Sequence, residues 1–376
     1  SVPPFAYAGI TKMIKEECTP QTPGAWLRVA FEKPFGSDLK SAEEMAAVLA
    51  EHLSEQQIYR FDHYLGKVGV QQILDFRIAN AASYSNLWNT EHIERIEVFM
   101  TETEDCAGRT GFYDEYGIVR DIHQNHLMEV LTLVTMDLTD IETPASILEA
   151  KAKLISDIKD VETNFSMIGQ YLGYKKHVQA DRGDDFDSKT PTFAVSRLTI
   201  DNPTWFNTSI VMMAGKMLEK RQAGVVVTFR NKEAIQFHVQ GGEPKHGPTV
   251  YLTRNLPPAV GADHTWSQSN DGPFLQEHGP SKPDFGESWS VGEGPDLPYN
   301  KLVGDMFRGE QGNFVGTKGL LESWRVWDNY LKEISAAEPT VYPPQMKIDF
   351  FAHVFAHDKP GIAKSFGEAI FDHHKE

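Results

Sequence analysis

The spacing of apolar and polar positions changes along the chain, and the change separates two kinds of structure. Leu27-Arg28-Val29-Ala30-Phe31 is a short β-rich run stopped by Pro34-Phe35-Gly36, since proline cannot donate to a strand ladder. Ser37 and Asp38 then cap an amphipathic helix whose apolar stripe is Ala42, Met45, Ala46, Leu49 and Leu53. A second strand is expected over Ile58–His63, a turn at Gly66 and a helix over Lys67–Asn80. Two rounds of strand, turn and helix give the rhythm of a parallel α/β sheet.

Beyond that point the rhythm is lost. Ile93–Thr103 alternates as a strand, with Ile93, Arg95 and Glu97 on one side and Glu94, Ile96 and Val98 on the other. Ile118–Leu138 reads as one long helix with an inward stripe of Val119, Ile122, His126, Val130 and Leu133. Further β-branched runs follow at Phe193-Ala194-Val195, Leu198-Thr199-Ile200 and Val225-Val226-Val227-Thr228-Phe229. They predict an antiparallel or mixed sheet packed on helices, an α+β second part. Pro257–Pro298, rich in Pro, Gly, Ser and Asp, reads as long surface loops, and Leu320–Ile334 as a late helix.

Composition narrows the function classes. The 376 residues are 40% hydrophobic with only two cysteines, Cys18 and Cys106, which excludes a disordered chain and a disulfide scaffold. Acidic residues outnumber basic ones 53 to 36, a formal charge of −17, so neither nucleic acid nor an anionic membrane is the expected partner. An anionic ligand would need locally concentrated Lys and Arg. No apolar run approaches the ~20 residues of a membrane span.

Three places carry candidate chemistry. Lys33 ends an apolar strand and should stand at the C-terminal edge of a parallel sheet, where ligands bind, although a solvated strand-end lysine reads the same way. In Tyr59-Arg60-Phe61-Asp62-His63-Tyr64-Leu65-Gly66-Lys67, His63, Tyr64 and Lys67 gather donors around a helix start, which suits a phosphate; the alternative is a polar turn. His126 lies on the inward stripe of its helix among Arg120, Asp121, Gln124 and Asn125. It is either a core histidine or a general base held by a carboxylate. His353 and His357 are spaced i, i+4 without a third ligand nearby, and no metal site is expected. His373-His374 belongs to a polar tail, and Gly309-x-x-Gly312-x-x-x-Gly316 lacks a nucleotide-binding context.

Glu32-Lys33-Pro34-Phe35-Gly36, the Tyr59–Lys67 string, Arg109-Thr110-Gly111-Phe112-Tyr113-Asp114 and Arg120-Asp121-Ile122-His123-Gln124-Asn125-His126-Leu127 together resemble the glucose-6-phosphate dehydrogenase family. Gly169-Gln170-Tyr171, Thr190-Pro191-Thr192-Phe193-Ala194 and Gly215-Lys216-x-Leu218-x-Lys220-Arg221 extend the likeness. The wording of Gly24-Ala25-Trp26-Leu27-Arg28 and Tyr116-Gly117-Ile118-Val119-Arg120-Asp121 looks more like the hexose-6-phosphate dehydrogenase branch of the endoplasmic reticulum lumen than the cytosolic one. The resemblance implies that compartment, with the cytoplasm as the alternative.

The same resemblance implies oxidation of a sugar C1 hydroxyl, with His126 as general base and Asp62 orienting it. It implies that His63, Tyr64, Lys67, Glu102, Asp121, Lys216 and Arg221 hold the sugar or its phosphate, that Lys33 touches both substrate and cofactor, and that Tyr7 touches the cofactor. Lys33, Lys67, Lys216 and Arg221 would be the basic cluster an anionic substrate requires. Glucose 6-phosphate or another hexose 6-phosphate is the implied substrate, NADP or NAD the cofactor, and a homodimer the assembly. The implied fold is α/β plus α+β, an incomplete Rossmann-like parallel sheet followed by a larger domain with a big, mainly antiparallel sheet. No Gly-x-Gly-x-x-Gly occurs, so the chain is expected to start after the family's phosphate-cradling turn. Residues 1–67 would be the remainder of the nucleotide domain, 68–340 the substrate and dimerisation domain, and 341–376 a tail or linker. Gln222 and Val226 replace basic residues that hold an additional structural NADP in cytosolic members, so that site is expected to be absent. A non-catalytic chain binding sugar phosphate or a protein is the alternative function.

Overall fold

The computed structural model describes residues 2–183, 186–241, 248–253, 255–257, 259, 266–268, 285–291 and 297–346. Helix α1 (Tyr7–Cys18) precedes strand β1 (Val29–Glu32), helix α2 (Leu39–Ala50) and strand β2 (Ile58–Phe61). The α2 cap is a reciprocal pair: the Ser41 N–H donates to Asp38 Oδ1, and the Asp38 N–H donates back to Ser41 Oγ. β1 and β2 pair in parallel from Val29↔Ile58 to Glu32↔Phe61, as the rhythm predicts. His63–Gly66 forms one tight 3₁₀ turn before α3 (Val68–Ala79). Gly66 is needed there for space rather than for turn geometry, since a Cβ on it would lie 2.4 Å from the Pro298 carbonyl oxygen.

After the single turn α4 (Ala81–Tyr84), strand β3 (Ile93–Thr101) enters the large sheet. The chain continues through α5 (Thr110–Ile118), a π-helical segment (Val119–Leu127), α6 (Met128–Thr135), α7 (Pro144–Ser156), β4 (Met167–Tyr171) and α8 (Tyr174–Arg182). Strands β5 (Phe193–Leu198), β6 (Ser209–Gly215), β7 (Gln222–Phe229), β8 (Ala234–Gly241), β9 (Thr249–Thr253), β10 (Trp266–Gln268) and β11 (Phe285–Val291) follow. Last come α9 (Pro298–Arg308), α10 (Thr317–Ile334) and β12 (Thr340–Tyr342). The sheet order is β10-β11-β9-β8-β7-β3-β6-β5-β4-β12, with only β3–β6 and β4–β12 parallel. A small parallel sheet followed by a large, mainly antiparallel one is the expected fold.

Alternate residues of the central strands feed two cores. Ile96, Val98, Met100, Ile210, Met212, Ala214, Val225 and Val227 face the larger one, beneath α3, α6 and α10. Phe99, Val195, Val211, Met213 and Val226 face the smaller one, closed by Tyr113, Tyr174 and Val178 from α5 and α8.

Four expectations need correction. β3 does not alternate throughout: its register shifts between Ile93 and Arg95, so Ile93 joins Ile96 and Val98 in one core. Leu198-Thr199-Ile200 is not a separate strand, because Leu198 ends β5 and Ile200 makes one isolated bridge to Ile158. Within Pro257–Pro298, two segments are strands, β10 and β11, rather than loop. The helix expected over Ile118–Leu138 is π-helical up to Leu127 and α-helical only from Met128 to Thr135. His353, His357 and His373-His374 lie outside the described residues.

Gly117 sets the start of the π-helical segment. Its φ of 65° and ψ of 170° break α5 one residue before the end, in a region open essentially to glycine alone. A Cβ there would also stand 3.1 Å from Thr190 Cγ2. Gly117→Ala should therefore lower stability by ~1–3 kcal/mol, read as a shifted urea midpoint at unchanged slope.

Candidate active site

Three elements converge at one edge of the small sheet. β1 delivers Lys33, β2 delivers Asp62 and its neighbours, and the π-helical segment delivers Asp121 and His126. Wider winding puts His126 and Asp121 on nearby faces of one segment, and such segments concentrate at functional sites. Asn125 secures the winding, its Oδ1 accepting from the His126 N–H at 2.7 Å and its Nδ2 donating to the Arg120 carbonyl at 2.9 Å. Ser323 on α10 donates to the Gln124 carbonyl at 2.5 Å, and Trp324 donates to the Phe35 carbonyl at 2.9 Å. The last long helix thus ties the segment to the loop after Lys33, a link with no signal in local sequence.

His126 Nδ1 lies 2.5 Å from Asp62 Oδ1, both side chains almost wholly buried. Asp62 Oδ1 also accepts from the Tyr64 N–H at 2.9 Å. A carboxylate can only accept, so Nδ1 carries the hydrogen and Nε2 presents its lone pair, to which Lys33 Nζ donates at 2.9 Å. Lys33 also donates to the Asp121 carbonyl at 3.0 Å and stands 3.5 Å from Asp121 Oδ1. The imidazole is enclosed by the Tyr64 ring stacked at 4.6 Å and the His63 ring edge-on at 4.6 Å.

Burial is the strongest influence on His126, Asp62 and His63. It holds His126 below the ordinary imidazole range, helped by Lys33 and opposed by Asp62. Burial alone would raise Asp62, but the hydrogen-bonded His126 ring and the Lys33 ammonium outweigh it and hold the carboxyl well below its usual range. Burial and the neighbouring His126 push His63 down to about 4. The result is a neutral imidazole with a fixed tautomer beside an ionised carboxylate, the arrangement of a general base.

A second polar group adjoins it. Lys216, just past β6, lies 2.5 Å from Glu102 Oε2 just past β3 and 3.7 Å from Asp121 Oδ2, with its ammonium 5.1 Å over the Tyr113 ring. Asp121 thereby joins Lys33 to Lys216, and both lysines pull it below the usual carboxylate range against the effect of burial. Lys67 sits 5.5 Å over the Tyr64 ring. Tyr7 is buried, its hydroxyl donating to the Glu32 carbonyl at 3.0 Å beside Lys33. Arg221 stands apart on the surface, paired with Glu104 at 3.2 Å. The expected basic cluster is corrected accordingly: Lys33, Lys216 and Arg221 are each matched by a carboxylate, so the site is a balanced network rather than a patch of positive charge.

A cavity of about 260 Å³ opens beside the dyad, with Lys33, Asp62 and Asp121 on its polar side and Phe112, Tyr116 and Trp324 on its aromatic side. Among the described residues, Asp62, His63 and His126 are the one set of potential metal ligands, their donor atoms within 4.8 Å of one another. Those donors do not suit a cation, because the Asp62–His126 hydrogen bond occupies one nitrogen and an ammonium occupies the other. Behind the dyad lies a buried ion pair not foreseen from sequence, Glu129 to Lys151 at 2.5 Å.

The fold thus joins a small parallel sheet to a large, mainly antiparallel one, with the His126–Asp62 pair linking them. Residues 1–72 match the glucose-6-phosphate dehydrogenase NAD binding domain and residues 74–353 its C-terminal domain, so the chain belongs to the glucose-6-phosphate dehydrogenase family. It is 36% identical over 366 residues to the human GDH/6PGL endoplasmic bifunctional protein, covering 91% of this chain and 46% of the relative. It is 34% identical over 350 residues to the cytoplasmic isoform of glucose-6-phosphate 1-dehydrogenase from Solanum tuberosum, covering 92% and 66%. A solved structure of glucose-6-phosphate dehydrogenase with its substrate glucose 6-phosphate aligns with a TM-score of 0.76 at 28% identity, over 96% of this chain and 75% of that one. The chain thus spans about half the length of the bifunctional relatives, 46% and 45%. No helix among the described residues is long and apolar enough to cross a membrane.

Burial also gives stability a pH dependence. His123, on the same segment and edge-on to Trp327, is pushed by burial to about 3. Above pH 6.5, His123 is neutral whether the chain is folded or not; below it, only the unfolded chain takes up the proton. Wild-type stability should fall relative to His123→Gln as pH drops from 6.5 towards 3, and a pH-independent difference in urea midpoints would contradict this.

Proposed function

We propose that the protein oxidises the C1 hydroxyl of glucose 6-phosphate, or of a related hexose 6-phosphate, to the 6-phosphoglucono-lactone with NADP as hydride acceptor. The observation that carries this reading is the line Asp62–His126–Lys33, in which the unprotonated imidazole nitrogen meets the Lys33 ammonium, a residue that with Asp62 lines the cavity. A hydroxyl replacing Lys33 at Nε2 would pass its proton to His126, while Asp62 stabilises the imidazolium and Lys33 stays close enough to polarise the oxygen. His63, Tyr64 and Lys67 would receive the phosphate at the helix start. Glu102, Asp121 and Lys216 would bind the ring hydroxyls, donors and acceptors alternating, and Arg221 would reach the phosphate only by leaving Glu104.

Lys33 and Tyr7, at the C-terminal edge of the parallel pair, suit the nicotinamide end of a dinucleotide. NADP, or NAD, supplies the hydride acceptor when bound. A division near residue 67, a homodimer built on the large sheet and residence in the endoplasmic reticulum lumen complete the proposal; the last is supported by the human relative's description as endoplasmic.

The second reading is sugar-phosphate binding without turnover. It is supported by the two-stranded size of the parallel sheet among the described residues, since such a pair is marginal by itself. The two readings separate in one experiment. Reduced dinucleotide should form from glucose 6-phosphate with wild type, and His126→Asn should lower kcat/KM by ~10²-fold or more. Calorimetric binding of the sugar phosphate with no turnover would favour the second reading, and undiminished turnover in the variant would remove the base from His126.

A further inference from the structure

Lys216 is held from behind by the last strand of the sheet. Its own segment is bent: Met217 has a φ of 54°, a conformation that costs a side-chain-bearing residue and needs support from its surroundings. One set of supports comes from the end of β3. The Glu102 N–H donates to the Gly215 carbonyl at 2.8 Å, the Met217 N–H to the Glu104 carbonyl at 3.1 Å and the Leu218 N–H to the Glu102 carbonyl at 2.9 Å.

The other set comes from residues more than 120 positions later. The Gln345 N–H donates to the Met217 carbonyl at 2.7 Å, and the Glu219 N–H to the Met346 carbonyl at 3.2 Å. Between them Tyr342, fully buried on β12, donates its hydroxyl to the Lys216 carbonyl at 2.7 Å.

The direction of this contact is set by a chain of donors. The Tyr171 N–H can only donate, and it does so to Thr192 Oγ1 at 2.9 Å. Thr192 Oγ1 lies 2.9 Å from the Tyr342 hydroxyl and can pass its own hydrogen on, leaving the phenol hydrogen for the Lys216 carbonyl, which at 2.7 Å is nearer than the Thr192 carbonyl at 3.3 Å. The Thr192 carbonyl in turn accepts the Lys216 N–H at 3.0 Å, so both backbone polar groups of Lys216 end on this pair. Burial raises the Tyr342 phenol, which therefore stays protonated and remains a donor.

We propose that Tyr342 is a positioning residue for the substrate: through the Lys216 carbonyl it aims the Lys216 ammonium between Glu102 and Asp121, so β12 governs sugar affinity rather than turnover. The inference rests on the proposed role of Lys216 in holding the sugar. It predicts a selective defect, because a displaced ammonium weakens hydroxyl binding without touching the His126–Asp62 pair.

Tyr342→Phe removes one oxygen and keeps the ring. It should raise KM for glucose 6-phosphate by ~10-fold while kcat and KM for the dinucleotide stay within ~2-fold, since a small misplacement is costly only where contact is made. Val341→Thr, exposed on the same strand, should alter nothing. A fall in kcat together with the melting temperature, at unchanged KM, would make Tyr342 merely structural and overturn the proposal.

A second readout needs no activity. Glu102 and Asp121 raise Lys216 above the ordinary lysine range against the effect of burial. NMR of ¹³C-labelled lysine side chains, with Lys216 assigned through Lys216→Arg, should show its titration moving back towards that range in Tyr342→Phe. An unmoved titration overturns the inference whether or not the wild type oxidises sugar phosphate. Absence of turnover with a moved titration instead counts against the proposed function alone and leaves the positioning by Tyr342 standing.

Discussion

The site depends on one buried hydrogen bond, from His126 Nδ1 to Asp62 Oδ1. Both groups are almost completely removed from water, so each is tolerable only because the other is there. Taking away one partner of such a pair costs ~3–5 kcal/mol, and here it would also free the imidazole to change tautomer. The bond joins the end of a strand of the small parallel sheet to the helix that lies over the large sheet, so a single contact serves both the tautomer of the imidazole and the docking of the two parts. Tyr64 stacked on the ring and Lys33 at the far nitrogen complete the enclosure.

Charge is organised around that bond as a chain rather than a patch. Lys33, Asp121, Lys216 and Glu102 alternate in sign, which lets cations sit in a chain of net charge −17 without being left unpaired in a poorly solvated place. A patch of unopposed lysines would bind any anion, whereas paired groups reward only a ligand that restores each hydrogen bond it displaces.

Legibility in the sequence followed range. The parallel β1–β2 pair, the capped α2 and the late helix α10 were readable because their signals, a period of two or 3.6 and a capping residue, lie within a dozen positions. The β3 bulge and the π-helical winding escaped because both are imposed from outside, by pairing with β7 and by the contacts of Gly117, Asn125 and Ser323. The strands β10 and β11 escaped because their composition is that of a loop, and only pairing, of β11 with β9 and of β10 with β11, makes them strands.

The sequence by itself determined the family, through strings such as Asp62-His63-Tyr64-Leu65-Gly66-Lys67, and determined which residue types were available for proton transfer and anion binding. Tertiary structure alone decided what they became. It buried His126 against Asp62 so that its pKa falls below the ordinary imidazole range, matched Lys33, Lys216 and Arg221 with carboxylates, and brought Tyr342 under Lys216. The physical reason is that protonation, tautomer and pairing depend on distance and burial, and residues separated by 64 or 126 positions acquire both only when the chain folds.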